Sequence, residues 1–230
     1  NTTLLCCQSN TSATAAAVTP GSITANGDTS ATIFNPFTTD INTVRGKEGS
    51  YCTWNPLDPS GGNFSNGNLI MQGASAWRQT TGTIAVSSGK WYYEAIYRGN
   101  QWGSTTNNFV ASIGFYKADV ATSTNGLGNS GTYNNALAFI QTGHFVNFAS
   151  NTSIRSQIAN NDLIGVSVDL DAGTYAFYIN GISLTSGNLA YTGALVPWTA
   201  TYYSNSTGYF DCNFGQKPFK FPPPDGFQPL

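Results

Sequence analysis

From residue 46 onward the apolar positions recur at every second residue. Ile164, Val166, Val168 and Leu170 alternate with Gly165, Ser167 and Asp169, the pattern of a half-buried strand with one face toward a core. Tyr175, Phe177 and Ile179 repeat the alternation after a turn at Asp171-Ala172-Gly173. Asn180-Gly181 then separates Ile179 from Ile182. Both turn residues tolerate positive φ, so the dipeptide predicts a two-residue type I′ hairpin. Phe109, Ala111, Ile113 and Phe115 line one face of another strand, and Trp91, Tyr93, Ala95 and Tyr97 one face of a further one. Leu195 to Tyr203 and Tyr209 to Phe214 complete the set. Short strands, Gly/Asn/Ser turns and no convincing long helix predict an all-β sandwich or barrel. Pro222-Pro223-Pro224 lacks the donors of a ladder and is predicted to end strand structure, the last residues running extended over the surface.

Residues 1–45 break this rhythm. Thr3 to Cys7 reads as one strand, followed by Thr/Ala/Ser-rich sequence. Ala13 to Val18 has helix propensity but is too short to hold a helix alone before Pro20-Gly21. The chain is therefore divided into a lead-in or linker, 1–45, and a β domain, 46–230. Within the domain, Arg98–Asn108, Asp119–Asn135 and Ser186–Gly193 read as long loops, and long loops in compact domains are commonly functional.

Composition narrows the function. Charged residues make up 9% of the chain, against roughly 25% in ordinary soluble domains. With 13% aromatics and a formal charge of −2, the chain has the apolar content to fold and no electrostatic reason not to. Its basic residues are scattered from Arg45 to Lys220, which argues against nucleic acid, whose phosphates call for clustered Lys and Arg. No apolar stretch approaches the ~20 residues of a membrane-spanning helix. Asn1 reads as the start of a fragment cut from a longer chain.

Catalytic patterns are sparse. The lone His144 has no partner identifiable from sequence and is assigned a structural role. Glu48 and Glu94 are the only glutamates, too few and too far apart for an E-x-D-x-x-E acid and nucleophile set. Asp169 and Asp171 share a face by parity, but one strand cannot supply the six to eight oxygens of a calcium site. Cys6 and Cys7 are adjacent and unsuited to an internal bridge, Cα atoms across a peptide being only ~3.8 Å apart. Cys52 and Cys212 read as free buried thiols, with a bridge between them as the lesser alternative. These readings describe a non-enzymatic chain needing neither cofactor nor metal.

The strands also resemble a known family. Ser88-Gly89-Lys90-Trp91-Tyr92-Tyr93-Glu94 looks like the first strand of SPRY domains, and Ala111-Ser112-Ile113-Gly114-Phe115 like the glycine-containing strand that follows. Gly165 to Leu170 with Tyr175 to Gly181 resembles the central hairpin of the family. Leu195-Val196-Pro197 and Asn213-Phe214-Gly215-Gln216-Lys217-Pro218-Phe219 resemble its closing strands. The blocks follow the family's order over about 130 residues. The resemblance implies a concanavalin-like sandwich of two antiparallel sheets with an extended N-terminal lead-in. A narrower likeness, in Trp54-Asn55-Pro56-Leu57 and in Phe214 to Phe227, is to SPRY modules of bacteriophage and other viral structural proteins. It makes Leu4 to Cys7 similar to the last strand of a preceding concanavalin-like module.

What this resemblance implies is a binding module of a virion appendage, a tail or head fibre, exposed on the particle. It would recognise a host-surface glycan or protein, and a homo-oligomer, trimers included, is expected. The alternative is a spacer or capsid decoration domain that touches only other virion subunits. SPRY domains typically bind through loops gathered at one end of the sandwich, where aromatics stack and amides hydrogen-bond. The candidates are Trp102 with Asn100, Gln101 and Asn107, then Tyr133 and Asn134, then Tyr203 and Asn205. Trp54, Trp91 and Trp198 are assigned to the core, and Trp77 is unassigned.

Overall fold

The computed structural model describes residues 5–6, 12, 14–18, 21–24, 51–58, 62–73, 77–99, 111–122, 134–148, 150–154, 158–202 and 208–230. The chain divides into two compact units, Asn1–Ser50 and Tyr51–Leu230. In the first, β1 (Leu5–Cys6) pairs antiparallel with β2 (Ala16–Val18), Leu5 opposite Val18. Residues 16–18 are thus extended despite their alanines. A segment this short closes too few helical hydrogen bonds to offset nucleation, whereas a partner strand satisfies its backbone directly.

In the second unit the regular elements among the described residues are all strands. One sheet has the order β10 (Ser150–Ser153), β9 (His144–Asn147), β8 (Ala136–Ile140), β7 (Ala111–Lys117), β14 (Leu195–Tyr202), β5 (Trp77–Thr81). The other runs β13 (Ile182–Asn188), β12 (Thr174–Ile179), β11 (Leu163–Asp169), β6 (Lys90–Arg98), β15 (Tyr209–Asn213), β4 (Ile70–Gln72), β3 (Asn63–Ser65). Neighbours in both sheets are antiparallel; β16 (Gln228–Pro229) alone joins β6 in parallel, Gln228 opposite Trp91.

The two sheets face each other across the core. Tyr93 of β6 meets Phe115 of β7 edge-on at 5.6 Å, and Phe177 of β12 lies 5.4 Å from Phe145 of β9. The alternating sets Ile164/Val166/Val168, Tyr175/Phe177/Ile179, Tyr93/Ala95/Tyr97 and Ala111/Ile113/Phe115 all point inward, as their period predicts. Trp54 and Trp198 are buried, whereas Trp91 is half-buried at the rim, its indole N–H donating to the Ser88 carbonyl at 2.6 Å. Asn180 (φ 51°) and Gly181 (φ 80°) form the turn that puts Ile179 opposite Ile182.

Three expectations need correction. Strand β11 is buried along its whole length, not on one face. The segment after Phe214 reaches the outer side of its sheet at Glu94, and Ser167 and Asp169 on that side are buried. The stretch Ser186–Gly193 opens as strand, β13 continuing to Asn188. The C-terminal residues do more than cover the surface: Leu230 enters the core and its carbonyl accepts the Cys52 N–H at 3.2 Å.

The six-stranded sheet is also apolar on the side away from this core. Tyr116, Ala136, Ala138, Ile140, Val146, Val196, Trp198 and Ala200 form a second buried cluster there. Tyr116 stacks on Trp198 at 5.8 Å, and the Trp198 indole N–H donates to Gln79 at 2.9 Å.

Candidate functional site

Asn100, Gln101, Trp102, Asn107, Tyr133, Tyr203 and Asn205 lie outside the described residues. Asn134 is exposed in the turn leading to β8, where Lys117 donates its N–H to the Asn135 carbonyl at 3.0 Å. The strand ends bounding the other candidate segments sit elsewhere: Arg98 pairs with Tyr209, and Ala111 with Thr201. The seven-residue strand β7 runs from Ala111 to Lys117, so its ends are about 20 Å apart at ~3.3 Å per step. Asn134 therefore belongs to the opposite end of the sandwich from those strand ends.

The ionisable side chains are largely occupied in holding backbone. Asp169 accepts the Ala172 N–H at 2.9 Å and the Lys90 ammonium at 3.1 Å. Asp171 accepts the Gly89 N–H at 2.9 Å, and Asp162 those of Ala159 and the Asn180 amide at 2.8 and 2.9 Å. His144 Nδ1 lies 3.1 Å from the Thr142 hydroxyl. Cys52 and Cys212 are free thiols whose burial pushes both pKa values up, which disfavours the thiolate. Among the described residues, no group of three or more His, Cys, Asp or Glu is placed to hold a metal.

At the Lys117 end a groove of about 360 Å³ opens between the Asn55–Asp58 turn, Thr81–Thr83 and Lys117–Thr122, with Val196 among its lining residues. Sequence builds its first wall locally. The Asn55 side chain accepts the Leu57 N–H at 3.0 Å, an Asx turn that lifts Leu57 to 87% exposure. The Asn55 backbone is fixed to β5 by N–H donation to Thr81 O at 2.9 Å and acceptance from the Thr80 hydroxyl at 3.0 Å. Asp58 then ties the walls together, accepting the Thr122 hydroxyl at 2.6 Å and the Thr81 N–H at 3.3 Å.

Beside the groove, the Lys117 ammonium lies 5.0 Å from the Tyr191 ring centre and 5.8 Å from that of Phe148, within cation–π range. Tyr191 donates its hydroxyl to Asp119 at 3.2 Å. The groove thus combines an apolar rim, hydroxyls, backbone and two charged residues of opposite sign, Lys117 and Asp58. Leu57, Asp58 and Thr122 were not legible as site residues. The only available signal was an apolar residue placed after Asn-Pro at a turn, within the Trp54–Leu57 block.

No family model matches the chain, and no curated protein matches it. Solved structures do. The SPRY domain of human HERC1 superposes with TM-score 0.55 at 16% identity, over 72% of this chain and 99% of that one. The PSpry domain of TRIM65 gives 0.53 at 11% identity, over 71% and 90%. The stonustoxin structure gives 0.52 at 17%, over 71% of this chain and 27% of that one. Identities this low speak to fold alone. With two antiparallel sheets packed over an aromatic core, the chain has the concanavalin-like β-sandwich fold of SPRY domains.

Proposed function

We propose that this chain is a non-enzymatic recognition module of a virion appendage, a tail or head fibre, that contacts a host-surface glycan or protein. The observation that carries the recognition reading is the groove beside Leu57, whose rim presents a large apolar side chain 87% exposed above walls of mixed polar and apolar residues. Among the described residues, the carboxylates of Asp171, Asp169 and Glu94 accept backbone N–H groups. The virion setting is supported by the likeness of Trp54–Leu57 and Phe214–Phe227 to viral SPRY modules. The first of these blocks builds the groove wall, and the second forms the segment crossing the outer sheet.

A binding screen of the intact oligomer against cell envelopes and a broad glycan array tests this. Binding is expected, and Leu57→Asp should weaken it about tenfold, as removal of one interface anchor does, with the unfolding midpoint unchanged. Absence of binding in both screens defeats the proposal.

A second reading, a spacer or decoration domain seated against other virion subunits, is favoured by one observation. Ile182, at the start of edge strand β13, is 74% exposed and would be covered by a neighbouring subunit. An assembled particle in which subunits occupy both Ile182 and the Leu57 groove would establish this reading over recognition.

A further inference from the structure

The outer side of the sheet containing β6 and β11–β13 carries a second hollow, of about 350 Å³. Parity explains part of its lining. Tyr175, Phe177 and Ile179 fill the core, so Thr174, Ala176 and Tyr178 project from the other side of β12. Ser167 of β11 and Ser186 and Asn188 of β13 flank them. The remaining wall is Phe227, brought from far along the chain. After β15 the backbone crosses the sheet, with Phe219 edge-on to Tyr92 at 5.0 Å and the N–H groups of Lys220 and Phe221 on Glu94. It then returns to pair Gln228 with Trp91, which leaves Phe227 half-buried beside the hollow.

Among the described residues, the hollow is lined by three aromatic residues, Tyr175, which also belongs to the core, and Tyr178 and Phe227, together with hydroxyls and one amide. No charged side chain is among these lining residues; the Lys90 ammonium, paired with Asp169 at 3.1 Å, lies 5.9 Å from the Phe227 ring centre. Ser167 donates to the Ala176 carbonyl at 3.0 Å. The side chains of Thr174, Tyr178, Ser186 and Asn188 make no hydrogen bond to any described residue, and Ser186 and Asn188 are exposed.

We infer that this hollow is a binding site for a neutral saccharide. The chemistry decides between three ligand classes. An anion or cation would find no opposite charge in the lining. A purely apolar ligand would cover hydroxyls and an amide without replacing their hydrogen bonds to water. A sugar satisfies both halves: its C–H face lies on an aromatic ring, and its hydroxyls both donate and accept toward Thr174, Ser186, Asn188 and the Tyr178 hydroxyl. The volume is at the low end of the ~300–1,000 Å³ typical of ligand sites, so the fit is to about one or two sugar rings. This inference does not rest on the groove beside Leu57.

Saturation-transfer NMR of the intact chain with lactose, maltotriose and triacetylchitotriose, and with sialyllactose as the charged counterpart of lactose, tests it. At least one neutral probe is expected to receive saturation. Asn188→Ala, and Ser186→Lys as a plug on an exposed position, should each weaken that probe about tenfold without moving the unfolding midpoint. Phe227→Ala should do the same if it folds, and Leu57→Asp should have no effect. The inference is overturned if none of the three neutral probes receives saturation, if binding survives both Asn188→Ala and Ser186→Lys, or if sialyllactose binds better than lactose.

Discussion

Glu94, 3% exposed on β6, accepts the backbone N–H of Phe221 at 2.9 Å. Its second oxygen accepts that of Lys220 at 2.9 Å, and the Tyr92 hydroxyl donates to the first at 3.1 Å. One carboxylate thereby fastens a segment more than a hundred residues downstream across the outer side of the sheet. Removing it leaves N–H groups without an acceptor under cover, each costing about 1–3 kcal/mol. Glu94→Ala should lower stability by about 2–4 kcal/mol in denaturant titration and speed hydrogen exchange at Lys220 and Phe221. Glu94→Gln should fall between, because the amide nitrogen cannot accept. Unchanged exchange at these two amides in Glu94→Ala would show that the carboxylate does not hold the segment.

Two glycines separate steric from conformational cost. At Gly114 a Cβ would overlap the Leu137 carbonyl oxygen and lie 2.8 Å from Ala138 Cα, both backbone atoms of the hydrogen-bonded strand β8. At Gly173, φ is +65° but nothing lies within 4 Å. Gly173→Ala should therefore cost about 1 kcal/mol, the left-handed penalty alone. Gly114→Ala should cost about 3 kcal/mol or more, since a paired strand cannot step aside. Equal midpoints for the two variants would contradict the packing described for β7 and β8.

Tyr97 is fully buried, and its hydroxyl has no hydrogen-bond partner among the described residues. Tyr97→Phe deletes the unsatisfied group with little change of shape and should stabilise the fold by about 1 kcal/mol at neutral pH. Burial also pushes the Tyr97 pKa up from 10.0 to about 12. The folded state holds this proton more tightly than the unfolded chain, so the associated stability is present below pH 10 and is lost as pH rises toward 12. Stability of the phenylalanine variant should fall less steeply across that interval; an identical slope would show that Tyr97 does not contribute there.

On the acid side the sign reverses. The Ala172 N–H, followed by Lys90, holds the Asp169 pKa below its usual 3.8. Its contribution is therefore complete above pH 3.8 and disappears as pH falls through the lower folded value. Asp169→Asn should flatten the acid limb of the stability curve below that point. Much of the contribution should survive added salt, because the Lys90 ammonium is half open to solvent and the backbone bond dominates. A collapse of the acid limb in salt would instead make the ion pair the main cause.

Local sequence determined which residues become strands and which way their side chains face. Val168 and Phe177 point inward because a period of two leaves them no other side once a core forms, and Asn180-Gly181 set its hairpin because both residues accept positive φ. The family blocks then carried the sandwich. Tertiary structure decided what lies on the other side of each sheet, since alternation reports a difference between two faces and not what covers either. Ser167 and Asp169 read as solvent-facing, yet both are buried, Ser167 beside the hollow that Phe227 walls and Asp169 under its bonds to Ala172 and Lys90. The two recesses were hidden for the same reason. Leu57 and Thr122 line one recess, and Tyr178 and Phe227 the other, because strand pairing brings distant turns and a returning C-terminal segment to one place.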